Sequence, residues 1–130
     1  MRPFNTITLT GVLGQSIITG SSSGGSTLTI ANISTFIRFL RISHTGAGVT
    51  SGCILTDQDG TFLERLIIRK TSGAPTTGYG IHITGGASSG TYVLNADISV
   101  TSGTSRYGIL IDTAASITVI DGGDFNSTTA

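Results

Sequence analysis

The segment Tyr79-Gly80-Ile81-His82-Ile83-Thr84 returns as Tyr107-Gly108-Ile109-Leu110-Ile111-Asp112, and this repeat decides the fold. An earlier version, Gly52-Cys53-Ile54-Leu55-Thr56, precedes both, and the glycines of the three segments stand 28 positions apart (52, 80, 108). Thr27-Leu28-Thr29-Ile30 is a looser version still further upstream. A fixed period in this range indicates a repeat architecture in which each unit packs on the next.

Each repeat is followed by a second apolar segment and then by a turn rich in Gly, Ser and Thr. The turns Thr71-Ser72-Gly73 and Thr101-Ser102-Gly103 match residue for residue. The second segments are Phe36–Ile42, Phe62–Ile68, Tyr92–Ile98 and Ile117–Ile120. The unit is about 25 to 28 residues, built of short strands and turns with no helix between them. A leucine-rich repeat would need its own Leu and Asn spacing, and a propeller blade would need about 40 residues, so neither fits this period.

A parallel β-helix accounts for this pattern. The sequence predicts an all-β fold, a short parallel β-helix (β-solenoid) of about four coils, because each unit is one coil stacked on the last. Residues 1–25 are expected to form an N-terminal arm with a strand pair, and residues 26–130 the coils. The 19 glycines suit the tight corners between strands of a coil.

Stacked coils place equivalent residues in columns that point alternately inward and outward. The predicted inward columns are Leu28, Cys53, Ile81, Ile109; Ile30, Leu55, Ile83, Ile111; Phe36, Phe62, Tyr92; and Ile42, Ile68, Ile98. The predicted outward column of the first segment is Thr29, Ile54, His82, Leu110.

The amino-acid composition argues against several classes of function. The chain has 7 basic and 7 acidic side chains and a formal net charge of zero, so it lacks the basic footprint of a nucleic-acid-binding protein. Its start, Met1-Arg2-Pro3-Phe4, leads straight into polar-apolar alternation, and no apolar stretch approaches about 18 residues. We therefore expect no nucleic acid, no signal peptide and no membrane span. Cys53 has no second cysteine to pair with and is interpreted as a small core residue.

The predicted outward positions favour self-association. Ile54 and Leu110 are large aliphatic side chains on either side of His82, and Ile67 is a further outward apolar residue in a second segment. A contiguous exposed apolar stripe indicates an interface, and a straight stripe suits a cyclic bundle of parallel columns. We predict a homotrimer whose interface contains Ile54, His82, Leu110 and Ile67.

Candidate catalytic or metal-binding groups are few. Asp57 and Asp59 flank Gln58 in a turn, but their equivalents in the next coil are not acidic, so turn chemistry is favoured over a catalytic pair. Neither His44 nor His82 has metal-ligand spacing to another ligand, and His44 is expected to be solvated at a turn entry equivalent to Lys70. We predict no catalytic residue, no metal ligand and no cofactor. Glu64 aligns with Arg38 of the preceding coil, which predicts a ladder ion pair.

With its Gly-Ile-x-Ile coils, Thr-Ser-Gly corners and charge-poor Thr/Ser/Gly composition, the chain resembles short trimeric β-helix proteins of tailed bacteriophages. These are the capsid decoration (cement) proteins and the tail-spike shafts, and the resemblance covers roughly Ser26 to Phe125. The resemblance is architectural. Pectate-lyase-like enzymes have the same solenoid fold, but this chain differs from them in coil number, in the missing helical cap and in the absence of an acidic cluster.

The resemblance implies a structural protein of the virion, made in the host cytoplasm. The small chain favours a decoration protein, whose partners are two further copies of itself and the major capsid protein. By analogy, the N-terminal segment Met1 to Gly14 would grip the shell, with Arg2, Pro3 and Phe4 as the attachment residues. The alternative is a short form of a tail spike or fibre that binds or cleaves host polysaccharide, with Asp57, Asp59 and Asp112 as its candidate acids.

Overall fold

The computed structural model is an all-β parallel solenoid of about four turns. It describes residues 7–13, 15–21, 23–31, 34–84, 90–112 and 118–126. The strands are β1 (Ile7–Thr10), β2 (Ile17–Gly20), β3 (Gly25–Ile30), β4 (Thr35–Arg38), β5 (Arg41–His44), β6 (Thr50–Thr56), β7 (Phe62–Glu64), β8 (Ile67–Lys70), β9 (Thr77–Ile83), β10 (Thr91–Val100), β11 (Ser105–Ile111) and β12 (Thr118–Asn126). In these ranges no helix is long and apolar enough to cross a membrane.

Every strand pairing is parallel, as expected where each strand stacks on its equivalent in the preceding coil. One sheet has two strips, β1-β4-β7 and β2-β5-β8, which join in the long strand β10 and continue into β12. The other sheet is β3-β6-β9-β11. The solenoid therefore has three outer faces. The first face is formed by β1, β4, β7 and the first parts of β10 and β12. The second face is formed by β2, β5, β8 and the remaining parts of β10 and β12, and the third face is the β3-β6-β9-β11 sheet.

The corner between the first two faces is a column of left-handed residues. Phe39, Arg65, Asn95 and Gly122 occupy equivalent positions in successive coils and have φ angles of 58°, 49°, 52° and 65°. Asn and Gly adopt this conformation readily, whereas other side chains lose about 1 to 2 kcal/mol there. The Arg65 guanidinium lies 5.9 Å from the centre of the Phe39 ring, a cation–π contact that offsets part of this cost.

β1 and β2 belong to the same sheets as the later coils. β1 pairs with β4 and β2 with β5, each over four residues. The described part of the predicted N-terminal segment thus adds strands to the stack, and Leu9 and Ile18 pack against the core.

Inward columns fill the interior with aliphatic side chains. The column Ile42, Ile68, Ile98 is confirmed, and all three side chains are fully buried. The prediction that Phe36, Phe62 and Tyr92 point inward is wrong. Their neighbours Ile37, Leu63 and Val93 fill the core instead, and the aromatic residues lie on the first face.

The predicted register of β6 is wrong by one residue. Gly52 pairs with Tyr79, not with Gly80, and Ile54 pairs with Leu28 and Ile81. The Tyr79 ring explains the shift, because a Cβ on Gly52 would lie only 2.3 Å from Tyr79 Cδ2, so only glycine fits beneath it. The Tyr79 hydroxyl reaches past Gly52 to Ser26 Oγ at 2.8 Å, which ties three coils together.

Candidate functional site

A stack of three aromatic rings lies on the first face, one from each of three successive coils. Phe36 and Phe62 have ring centres 4.7 Å apart, and Phe62 and Tyr92 have ring centres 4.5 Å apart, with planes within 5°. These spacings follow from the strand separation in a parallel sheet. Val119 of β12 continues the column above Tyr92 and is 41% exposed. We call this column, Phe36–Phe62–Tyr92–Val119, the aromatic column.

A second column on the first face lies beside the aromatic column. It consists of Thr10, Arg38, Glu64, Leu94 and Asp121, in order of the coils. Arg38 and Glu64 are aligned as predicted, but the predicted ion pair is absent from the salt bridges between described residues. Arg38 Nε instead donates a hydrogen bond to Thr10 Oγ1 at 3.3 Å.

The predicted trimer-interface residues do not all lie on the surface. Placing Ile54 outward is wrong, because the shifted register of β6 puts it in the core, fully buried. Leu55 takes the outward position on the third face, between Thr29 and His82. His82, Leu110 and Ile67 are half-buried, so part of each residue is exposed in the single chain. The attachment residues Arg2, Pro3 and Phe4 lie outside the described residues.

His82 and Asp112 form a pair on the third face. His82 Nε2 lies 3.0 Å from Asp112 Oδ1, and the Tyr79 ring contacts the imidazole edge-on at 5.1 Å between centres. The register puts Asp57 and Asp112 in one column with Thr84 between them. Asp57 is exposed and accepts a hydrogen bond from Gln58 Nε2. The other ion pair between described residues, Arg69 with Asp97, is bidentate and joins two coils on the second face.

His44 is part of a polar cluster inside the solenoid. The prediction that it is solvated is wrong, because both His44 and its equivalent Lys70 are fully buried. The Thr27 hydroxyl donates to Ser43 O at 2.7 Å, so its oxygen accepts from His44 Nδ1 at 2.9 Å. His44 Nε2 is then unprotonated and has no hydrogen-bond partner among the described residues. Burial, and secondly the charge of Lys70, lowers the pKa of His44.

Lys70 is tied to three acceptors. Its Nζ bonds to Gly46 O at 2.9 Å, to Ser102 Oγ at 3.1 Å and to Ser72 O. The Ser102 hydroxyl donates its proton to Ser72 O, so Ser102 Oγ accepts a hydrogen bond from Lys70. Nζ therefore donates to all three acceptors, which requires the three protons of the ammonium form. This is the geometry of a protonated amine that links three successive corners. Burial nevertheless lowers the pKa of Lys70.

Cys53 borders the same cluster. Its thiol is fully buried and donates to Arg69 O at 3.3 Å. Burial raises the pKa of the thiol to about 12, which leaves it protonated and unreactive at neutral pH. The interpretation of Cys53 as a small core residue is confirmed, although it does not stack in the column predicted for it.

A cleft of about 610 Å³ opens at the corner near Lys70. It is lined by Thr71, Gly73, Ala74, Thr101, Ser102, Gly103, Thr104 and Arg106. Sequence analysis did not identify this cleft, although the matched Thr-Ser-Gly turns form two of its walls. Arg106 Nε donates to Gly103 O at 2.8 Å, which fixes the guanidinium beside the cleft.

The described ranges contain no group of three or more His, Cys, Asp or Glu side chains that could hold a metal ion together. Comparisons with protein-family models, with curated proteins and with solved structures find no match to this chain.

Proposed function

We propose that this chain is a structural protein of a bacteriophage particle, a homotrimer that decorates the capsid. The observation that carries the proposal is the aromatic column on the first face. Phe36 is 36% exposed and Val119 is 41% exposed, and the column runs along the solenoid axis. A long exposed apolar surface is the mark of an interface.

A closed ring of subunits supports the trimeric form of the proposal. In a cyclic assembly each subunit contributes two different patches, one to each neighbour. The first face offers the aromatic column, and the third face offers a second patch. Its residues Leu55, His82 and Leu110 lie in the same coils as the last three members of the aromatic column. Both patches are straight and parallel to the solenoid axis, so neighbouring solenoids that stand side by side can bury both at once.

The capsid role rests on the resemblance to short phage β-helix proteins and on the size of the chain. In this proposal the major capsid protein is the partner, and Arg2, Pro3 and Phe4 make the attachment. The virion is the location, and the chain acts without catalysis or cofactor. The competing role is that of a short tail spike or fibre that binds host polysaccharide.

The test is the number of copies per virion of the phage that encodes the chain, measured by quantitative mass spectrometry against the major capsid protein. We expect hundreds of copies, as for a protein spread over the shell. A handful of copies would overturn the decoration role in favour of the tail. Absence from the particle would overturn a virion role altogether. Native mass spectrometry of the purified chain tests the trimer separately.

A further inference from the structure

The cleft at the corner between the second and third faces lies where two loops of unequal length meet. Residues 71–76 connect β8 to β9, whereas residues 101–104 connect β10 to β11 one coil further on. Thr71, Thr101, Thr104 and Arg106 of β11 are among the residues that line the cleft. The lining contains a cation and no carboxylate.

A second positive charge lies directly behind the lining. Ser102 lines the cleft, and its Oγ accepts a hydrogen bond from the buried Lys70 Nζ at 3.1 Å. The two other acceptors of Lys70 are backbone carbonyls, and neither salt bridge between described residues includes it. Buried charges are usually paired with a counter-charge, whereas the three acceptors bonded to Lys70 Nζ are uncharged.

Two cations at one corner, without a carboxylate in the lining, make the potential in the cleft positive. The Lys70 side chain is fully buried, so its charge is screened less than that of an exposed lysine. Arg106 is held in place by its bond to Gly103 O, and the planar guanidinium group forms charge-assisted hydrogen bonds with oxyanions such as carboxylate and phosphate. The hydroxyls of Thr71 and Thr104 can donate hydrogen bonds to the same class of ligand, whereas the Thr101 hydroxyl donates to Lys70 O.

We propose that this cleft binds a small oxyanion, namely a carboxylate, sulfate or phosphate group. The group can be a free ion or the acidic substituent of a saccharide, since both present the same oxygens. Arg106 supplies the charge at the mouth of the cleft, the hydroxyls supply hydrogen bonds, and Lys70 supplies the field from below. The site does not depend on the aromatic column or on trimer formation.

The experiment is an NMR titration of the full-length ¹⁵N-labelled chain. Sodium sulfate, sodium phosphate and sodium glucuronate are added separately at constant ionic strength, with sodium chloride as the reference. We expect saturable shifts of amide signals in residues 71–74 and 101–106. Binding of sulfate or phosphate alone supports a free-ion site, and binding of glucuronate supports an acidic saccharide.

The matched variants are Arg106→Gln and Arg41→Gln. Arg41 is an exposed arginine on the second face, away from the cleft lining. We expect Arg106→Gln to raise the dissociation constant about tenfold or more, because a charge-assisted contact is lost, and Arg41→Gln to leave it unchanged. Shifts no larger than those from chloride would overturn the proposal. Equal affinity in Arg106→Gln and the unaltered chain would also overturn it.

Discussion

At the scale of single residues, His44 shows how an internal polar group becomes sensitive to pH. Its Nδ1–H donates to Thr27 Oγ1, and its buried, unprotonated Nε2 has no hydrogen-bond partner in the described part of the chain. Protonation of Nε2 would place a second cation in the interior near Lys70. The folded chain therefore resists protonation, and the pKa of His44 falls below its ordinary value of 6.5.

This lowered pKa predicts a loss of stability on mild acidification. Below pH 6.5 the unfolded chain takes up a proton at His44 that the folded chain does not, so the free energy of unfolding falls from that pH toward the lower folded-state pKa. Above pH 6.5 His44 adds no such dependence. Urea unfolding at about pH 7.5 and pH 5.5 measures the effect, because model carboxylates titrate mainly below that window.

The control for this prediction is a pair of variants. His44→Gln is expected to reduce the difference between the two pH values, whereas His82→Gln retains His44 and is expected to keep that contribution. An equal difference in His44→Gln and in the unaltered chain would show that His44 is not its source.

At the scale of strands, the sequence predicted the number of coils and their parallel stacking. It did not predict, for every strand, which side chains point into the core. The glycine and isoleucine period was sufficient for the parallel stack, because each repeat must lie on the last. Phe36-Ile37 and Ile54-Leu55 are adjacent apolar pairs, and an apolar pattern alone does not tell which member points inward. In the structure Ile37 and Ile54 are buried in the core, and the Phe36 ring stacks on Phe62 outside it.

The cleft and the internal polar cluster could not be predicted from the sequence, for a related reason. Lys70, His44 and Ser102 come from different coils and meet only through the register of their strands. A charged residue in a strand is usually exposed, so nothing in the pattern marked Lys70 as buried. The carbonyl groups that hold it belong to the backbone and carry no sequence signal.

The register of β6 depends on Gly52, which gives a prediction at this scale. Gly52→Ala places a Cβ 2.2 Å from Tyr79 O and 2.3 Å from Tyr79 Cδ2, so the ring or the strand must move. We expect a loss of about 1 to 3 kcal/mol in the free energy of unfolding, measured by urea denaturation, as for other overpacked sites. Gly24→Ala is the matched control, because its added Cβ meets nothing within 4 Å. Equal stability of the two variants would contradict the role given to Gly52.

At the scale of the whole molecule, the residues that stabilise the fold lie in the core, whereas the residues proposed to contact another copy lie on the surface. Ile54 lies in the core of one chain, so Ile54→Asp is expected to unfold the protein rather than to dissociate an intact trimer. Phe62 stacks between Phe36 and Tyr92 on the outside and does not belong to the buried core cluster. Its removal tests the assembly without removing a core side chain.

Phe62→Ser is therefore the decisive variant for the proposed trimer. Burial of a phenylalanine side chain contributes about 1.5 to 3 kcal/mol, so we expect each subunit contact to weaken about tenfold or more. Sedimentation equilibrium over a range of protein concentrations measures the change, and circular dichroism checks that the strands are retained. Val49→Ser is the control, because Val49 is 76% exposed and lies outside the aromatic column. If Phe62→Ser assembles as tightly as Val49→Ser, the first face is not the interface, and the patch of Leu55, His82 and Leu110 must associate by another route.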